Sequence, residues 1–313
     1  MERGDVIAAA ARIAGKVVRT PLVEAKLAGR RIWLKCESLQ IGGAFKLRGA
    51  SNRLLQLDTA ERERGVVAFS SGNHAQGVAI AAKRLGIRAT IVMPSDAPQI
   101  KVDGTRANGG DVVFYDRRTK DRVTIAAGLA ARTGATIVPA FDDRHVIAGQ
   151  GTVGLEILDQ LREAGVGEPP VIAMPVGGGG LAAGIALACP DARIIGAEPD
   201  GWDDMARSLA SGSIQSVGTD APPTLCDALQ TMRGSPITFA ILSDRDAQII
   251  AVSEDEVADA MRWAWAEHRL MVEPGGAAAL AIFLAGKAAV EDDLVIVLSG
   301  GNIDPALHAK LVS

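Results

Sequence analysis

Cysteine is nearly absent from this chain, and the three present, Cys36, Cys189 and Cys226, are isolated and odd in number. That argues against a disulfide framework and against a cysteine-built zinc site, and leaves them as small core hydrophobes. No apolar run is long enough to span a bilayer, and the segment Met1-Glu2-Arg3-Gly4-Asp5 lacks a basic region feeding a hydrophobic signal core. No membrane partner is expected, and the expected location is the cytoplasm. Charge blocks are missing too: the formal net charge is −4 with basic residues dispersed, which argues against nucleic acid as principal partner. Any anion site must then be local. Internal repeats and low-complexity tracts are also lacking. What is present, 313 residues with 48% hydrophobic side chains and 35 glycines, fits a compact α/β protein with room for two domains.

Short β-branched runs alternate with helical patterns. Strands are expected over 31–37, 66–70, 89–93, 111–115, 136–139, 171–176, 193–197, 248–252 and 294–298, with helices between nearly all of them, for example 75–85, 121–132, 152–163 and 254–267. Such alternation implies α/β architecture with open, mostly parallel twisted sheets, helices on both faces, and ligands at the carboxyl ends of the strands. The expected division is a small domain, 52–143, inserted into a larger cofactor-binding domain made of 1–51 plus 144–313.

Two segments carry chemistry. Ile41-Gly42-Gly43-Ala44-Phe45-Lys46-Leu47-Arg48-Gly49-Ala50 sets one lysine between a glycine turn and an apolar helix start, where an amine can be held and partly desolvated, as a Schiff-base lysine requires. Alone it reads as a surface lysine at a helix start. The second segment follows the buried-strand pattern 171–176: Gly177, Gly178, Gly179 and Gly180 precede Leu181 and a small apolar helix. Residues without side chains between a strand and a helix expose backbone N–H groups at the positive end of a helix dipole, which suits a phosphate. A lysine with a phosphate cradle suggests pyridoxal phosphate.

These segments, with Ser70-Ser71-Gly72-Asn73-His74-Ala75-Gln76-Gly77 and Ser299-Gly300-Gly301-Asn302, occur in the order seen in fold-type II pyridoxal-phosphate enzymes. The chain resembles the serine/threonine dehydratase and serine racemase branch over nearly its whole length, including Met93-Pro94-Ser95-Asp96-Ala97-Pro98 and Ala148-Gly149-Gln150-Gly151-Thr152. The resemblance implies the tryptophan synthase β-like fold and a homodimer. It assigns Lys46 to the Schiff base and to movement of the substrate α-proton, Phe45 to packing on the cofactor ring, and Asn73 to its phenolic oxygen. Gly177 to Leu181 would cradle the phosphate, and Ser70, Ser71, Gly72, Asn73 and His74 would grip the substrate carboxylate. Backbone donors and an amide in a turn suit a carboxylate, although an ordinary helix cap is the commoner meaning of such a turn. Ser299 would sit at the pyridine nitrogen, where a neutral hydroxyl need not keep that nitrogen protonated. Ser71 stands where a simple dehydratase of this family has alanine. In the racemase branch a serine there is a second base on the face opposite the lysine, and helix capping is its equally weighted alternative.

The segment Glu198-Pro199-Asp200-Gly201-Trp202-Asp203-Asp204 is acidic and follows an expected strand. A solvated loop is its commoner meaning, but the resemblance places Glu198, the Trp202 carbonyl and Asp204 as ligands of Mg²⁺ or Ca²⁺, hard ions that take oxygen donors. Gly177-x-Gly179-x-x-Ala182 with Glu198 downstream also satisfies a loose dinucleotide fingerprint, so an NAD(P)-dependent oxidoreductase is a remote alternative. It leaves Lys46 and the 70–74 motif unexplained. A catalytically silent amino-acid sensor would have no need of Lys46. His74 reads as structural, and His145, His268 and His308 as surface or interface residues. Trp33, Trp263 and Trp265 read as core. The expected activity is a cytoplasmic ammonia-lyase (dehydratase) that takes a small-molecule β-hydroxy-α-amino acid of the serine, threonine or 3-hydroxyaspartate class to a 2-keto acid and ammonia, with a serine or amino-acid racemase as the alternative. The segment 224–231 is expected to contribute to the substrate pocket, and the short stretch after Asn302 leaves no room for a regulatory domain, which favours a catabolic role.

Overall fold

The computed structural model describes every residue except Ser71 and Thr219. Its strands are β1 (Leu22–Leu27), β2 (Arg30–Cys36), β3 (Val66–Phe69), β4 (Ala89–Pro94), β5 (Gly110–Tyr115), β6 (Thr136–Ile137), β7 (Val171–Pro175), β8 (Arg193–Pro199), β9 (Gln248–Val252) and β10 (Leu294–Leu298). They form a six-stranded sheet in the order β1-β2-β10-β7-β8-β9 and a four-stranded sheet in the order β5-β4-β3-β6. All pairs are parallel except β1 with β2. The fold is therefore α/β with two mostly parallel sheets.

Parallel strands covered on both faces must be apolar throughout, which is why β7 and β10 read as unbroken hydrophobic runs and are buried at every position. Alternate residues of these strands serve opposite faces. Ala173, Ile296 and Leu298 pack under helices Glu254–His268 and Pro274–Leu284, whereas Ile172, Met174, Val295 and Val297 pack under Arg144–Glu163 and Gly180–Ala188. The three cysteines are buried and unpaired, as their isolation suggests.

The structure departs from the sequence reading in four places. β1 is an additional strand, unreadable because its outward residues Glu24 and Lys26 break the apolar run, and it joins β2 through a two-residue turn at Ala28 (φ +49°) and Gly29 (φ +77°). Both central residues of such a hairpin turn take positive φ, and Ala is an unusual occupant of the first. The helix expected over 152–163 begins at Arg144, capped by Asp143, whose carboxylate accepts from His145 N (2.7 Å) and Val146 N (2.9 Å). Its glycines are contact points and not breakers: a Cβ on Gly149 would lie 2.6 Å from the Cα of Gly49. The third departure is His308, which is 3% exposed and packs edge-on to Trp265 at 5.3 Å, so it is not a surface residue. Trp33 is core, while Trp263 and Trp265 are half-buried.

Candidate active site

The carboxyl ends of β3, β7 and β10 open onto one cleft of about 900 Å³, part of it open to solvent. Lys46 enters it as the first residue of helix Lys46–Leu54. The turn before it is held to the end of β10: Phe45 N donates to Ser299 O (3.2 Å), Gly301 N to Gly43 O (2.8 Å) and Asn302 Nδ2 to Gly42 O (2.7 Å). Gly43 has φ +71°, and a Cβ there would strike the Asn302 side chain. Two motifs more than 250 residues apart in sequence are thus one piece of structure. The Lys46 amine donates to Ala140 O (3.1 Å) and lies 5.1 Å from the centre of the Phe45 ring. It keeps some surface toward the cleft, yet the protein around it is dense enough that burial lowers the amine to about 8.

The loop after β7 faces Lys46. Gly179 has φ +84°, and a Cβ on Gly178 would strike the ring of Phe141. Helix Gly180–Ala188 starts at its end, so the loop's N–H groups stand at the positive end of the helix. Gly177, Gly178, Gly179, Gly180 and Leu181 all line the cleft, as do Phe45, Ser70, Gly72, Asn73, His74 and Ser299. Ser71 lies outside the described residues.

Asn73 opens helix Asn73–Leu85. Its Oδ1 accepts from Asn302 Nδ2 (2.9 Å), which fixes the amide's orientation and leaves its Nδ2 as the donor, one of whose hydrogens goes to Glu273. His74 is buried, its Nε2 bonded to Val138 O (2.9 Å), and burial together with the nearby Lys46 pushes it down to about 3. It is a neutral imidazole and a poor base, which fits the structural role.

Sequence reading missed four features. Arg122 and Phe141 line the cleft from parts of the chain with no recognisable motif. Lys101, 2% exposed, lies behind the 70–74 loop between Asp227 (2.5 Å) and Glu273 (3.1 Å). Beneath Lys46, the fully buried Arg48 bonds both oxygens of Glu37 (2.8 Å each) and both of Glu156 (2.6 and 2.8 Å), and Glu156 also holds Lys35 (2.7 Å). Burial alone would raise the Glu37 carboxyl, but Arg48 holds it below the usual range. From the segment expected in the pocket, Asp227, Ala228, Leu229, Gln230 and Thr231 reach the cleft.

The acidic loop stands apart from the cleft. Glu198 is 0% exposed and accepts from Met205 N (3.0 Å) and Ala206 N (2.9 Å), capping helix Asp204–Ser211. Glu198 does not line the cleft that the glycine loop faces, so a nucleotide held on that loop would not meet it, which removes the dinucleotide reading. Asp204 is 1% exposed; its Oδ2 accepts from Gly234 N (2.9 Å) and its Oδ1 has no partner. Burial, aided by the mutual proximity of the two, raises the Glu198 carboxyl well above its ordinary range, and burial raises Asp204 to about 6. The Trp202 indole donates to Pro222 O (2.8 Å). Among the described residues no group of three or more His, Cys, Asp and Glu side chains converges on one point. No described helix is long and apolar enough to cross a membrane.

Residues 13–300 match the family model described as pyridoxal-phosphate dependent enzyme. The chain is 42% identical to an L-threo-3-hydroxyaspartate ammonia-lyase of a Pseudomonas species, over 98% of this chain and 97% of that protein. It is 39% identical to a serine racemase of Schizosaccharomyces pombe, over 99% and 96% respectively. Among solved structures, maize serine racemase superposes with a TM-score of 0.92 at 36% identity, covering 99% of this chain and 96% of that one.

Proposed function

Because the chain belongs to the pyridoxal-phosphate-dependent enzyme family, we propose that it is an ammonia-lyase that converts β-hydroxy-α-amino acids of the serine, threonine or 3-hydroxyaspartate class to a 2-keto acid and ammonia. The observation that carries this is Lys46: a desolvated amine lowered to about 8, facing a glycine cradle across one cleft. Pyridoxal phosphate, when bound, supplies an electron sink for the substrate α-carbon. The residues fit it. Gly177 to Leu181 would hold its phosphate, where the ring of Phe141 leaves no room for a side chain at Gly178. Asn73 has one N–H left after Glu273 and would give it to the phenolic oxygen. Phe45 walls the ring, and Ser299 offers a neutral hydroxyl to the pyridine nitrogen. Lys46 takes the α-proton, and its lowered basicity keeps a usable fraction in the neutral form near neutral pH. The backbone of loop 70–74 orients the α-carboxylate. That grip turns the Cα–H bond toward the Lys46 amine, which accepts the proton as the bond breaks; the β-hydroxyl takes up a proton and leaves as water, and the released enamine hydrolyses to the 2-keto acid and ammonia.

The experiment is direct: purified protein should be yellow, be bleached by borohydride, and release keto acid and ammonia from at least one of serine, threonine, 3-hydroxyaspartate and phenylserine. A colourless protein with none of these products contradicts the reading. Racemisation is a second reading, supported by relatives named serine racemases and by the hydroxyl at Ser71. Inverted, deuterium-labelled serine recovered from deuterated water would establish it, and its absence above a buffer control would remove it.

A divalent cation, Mg²⁺ or Ca²⁺, held by Glu198, Asp204 and the Trp202 carbonyl is part of the proposal. Two buried carboxylates, one with an oxygen lacking any partner, fit a hard cation, whose charge would keep both ionised. The proposal also includes a cytoplasmic homodimer, for which sedimentation at twice the chain mass is the check. The four strands of the smaller sheet all lie within 66–137, which supports reading 52–143 as the inserted domain.

A further inference from the structure

The proposed mechanism uses Ser299 from its motif and leaves Asn302 without a task. Asn302 is half-buried and does not line the cleft. Its amide sits where the missing side chain of Gly43 makes room, since a Cβ there would strike it. From that seat its Nδ2 donates one hydrogen to Gly42 O (2.7 Å) and the other to Asn73 Oδ1 (2.9 Å). A backbone carbonyl can only accept, so Gly42 compels Asn302 to present its nitrogen, and Asn302 in turn compels Asn73 to present its oxygen. Glu273, 1% exposed, bonds the other end of the Asn73 amide. It does not dictate the direction by itself, because a carboxyl accepts when ionised and donates when protonated, and so fits either end.

We propose that Asn302 is a positioning residue that keeps the phenolic oxygen of the bound cofactor ionised, by aiming the donor end of Asn73 at it. An N–H directed at that oxygen stabilises the phenolate. A carbonyl oxygen directed at it would stabilise the phenol instead, which has a proton to give. The same Asn302 nitrogen holds Gly42, in the turn that delivers Lys46, so one side chain sets both the amine and the donor to the phenolic oxygen. The inference rests on the cofactor reading, with Asn73 at the phenolic oxygen, and is independent of which amino acid is eliminated.

The test reads colour and not turnover, so a failure of the ammonia-lyase reading leaves it intact. The bound cofactor absorbs in the visible as the phenolate and in the near ultraviolet as the phenol. The ratio of the two bands is measured at one pH in the holoenzymes of the parent, Asn73→Ala, Asn302→Ala, Asn302→Asp and the double variant Asn73→Ala/Asn302→Asp. Asn302→Asp keeps the shape but offers only acceptors, so Asn73 should turn its nitrogen toward it and its oxygen toward the cofactor. The phenolate-to-phenol ratio should then fall by about tenfold to a hundredfold, the range for a hydrogen bond to a charged group. Asn302→Ala, which takes away the donor without adding an acceptor, should fall between that variant and the parent. With Asn73 already gone, Asn302→Asp should change the ratio no further. A residue that only supports the fold would shift both backgrounds alike; that outcome, or a parent-like ratio in Asn302→Asp, overturns the proposal. If Asn73→Ala itself keeps the parent's ratio, Asn73 is not at the phenolic oxygen and the proposal falls with that part of the reading. Neutron diffraction of the parent holoenzyme judges the proposal should no variant fold: deuterons on the Asn73 atom that faces the phenolic oxygen are expected, and a bare oxygen there overturns it.

Discussion

Lys46 and Lys101 are both lysines sunk beside one cleft, and they differ in what surrounds the amine. Lys101 lies between two carboxylates, Asp227 at 2.5 Å and Glu273 at 3.1 Å; burial would lower it, but these partners more than offset that and keep it raised. Lys46 has a backbone carbonyl and an aromatic ring instead, so burial acts on it unopposed. The difference teaches that reactivity is made here by withholding a counter-charge. A buried ammonium with matched anions is a structural part; a buried amine without them is a reagent. The acidic loop shows the converse arrangement, two buried carboxylates, Glu198 and Asp204, that accept from backbone N–H groups and form no ion pair with any described residue.

Replacing each lysine should break the comparison in opposite ways. Lys46→Ala should lose about a thousandfold or more in kcat while keeping its circular dichroism, because the lost group moves a proton in the transition state. Near-normal turnover would remove Lys46 from the mechanism. Lys101→Met should instead destabilise the fold, by about 3–5 kcal/mol in urea titrations, because it strands the buried Glu273 without a counter-charge. Lys46→Met in the cofactor-free protein should be neutral or stabilising by the same titration, and a loss like that of Lys101→Met would mean the two sites are alike.

The loop of Glu198 and Asp204 sharpens the comparison through added charge. Ca²⁺ or Mg²⁺ at a hundred times its dissociation constant should stabilise the folded protein by about 2.7 kcal/mol, chelator should reverse this, and Asp204→Asn should abolish it. An equal response from that variant places the ion elsewhere. The smallest effect is on pH. Only the neutral amine captures the cofactor, so as pH rises toward about 8 the rate of capture by the cofactor-free protein should climb by about tenfold per unit, then level off above it. A rise continuing toward the ordinary lysine range would show that the amine is not desolvated.

How much of this was legible in the sequence depends on whether a feature is local. The glycine cradle, the lysine turn and the 70–74 loop are contiguous, each carrying its own backbone geometry, and they could be named from order alone. Nine strands were readable as short apolar, β-branched runs, unbroken in β7 and β10 because both faces of those strands are buried; β1 was not, because Glu24 and Lys26 face outward at the sheet edge. The counter-charges of Lys101 could not be read, since Asp227 and Glu273 lie 126 and 172 residues away. Arg48 sits two residues from Lys46 and looks like any basic helix residue, yet its partners come from positions 37 and 156, which only the fold brings together.

The central claim is that the uncompensated amine is the one that reacts. The most direct measurement is borohydride reduction of the yellow holoenzyme followed by peptide mapping, which fixes the cofactor to whichever lysine holds it. The account predicts a single pyridoxyl-modified peptide carrying Lys46, with Lys101 and Lys35 unmodified. A label on Lys101, or a label that persists in Lys46→Ala at the parent's yield, would contradict it.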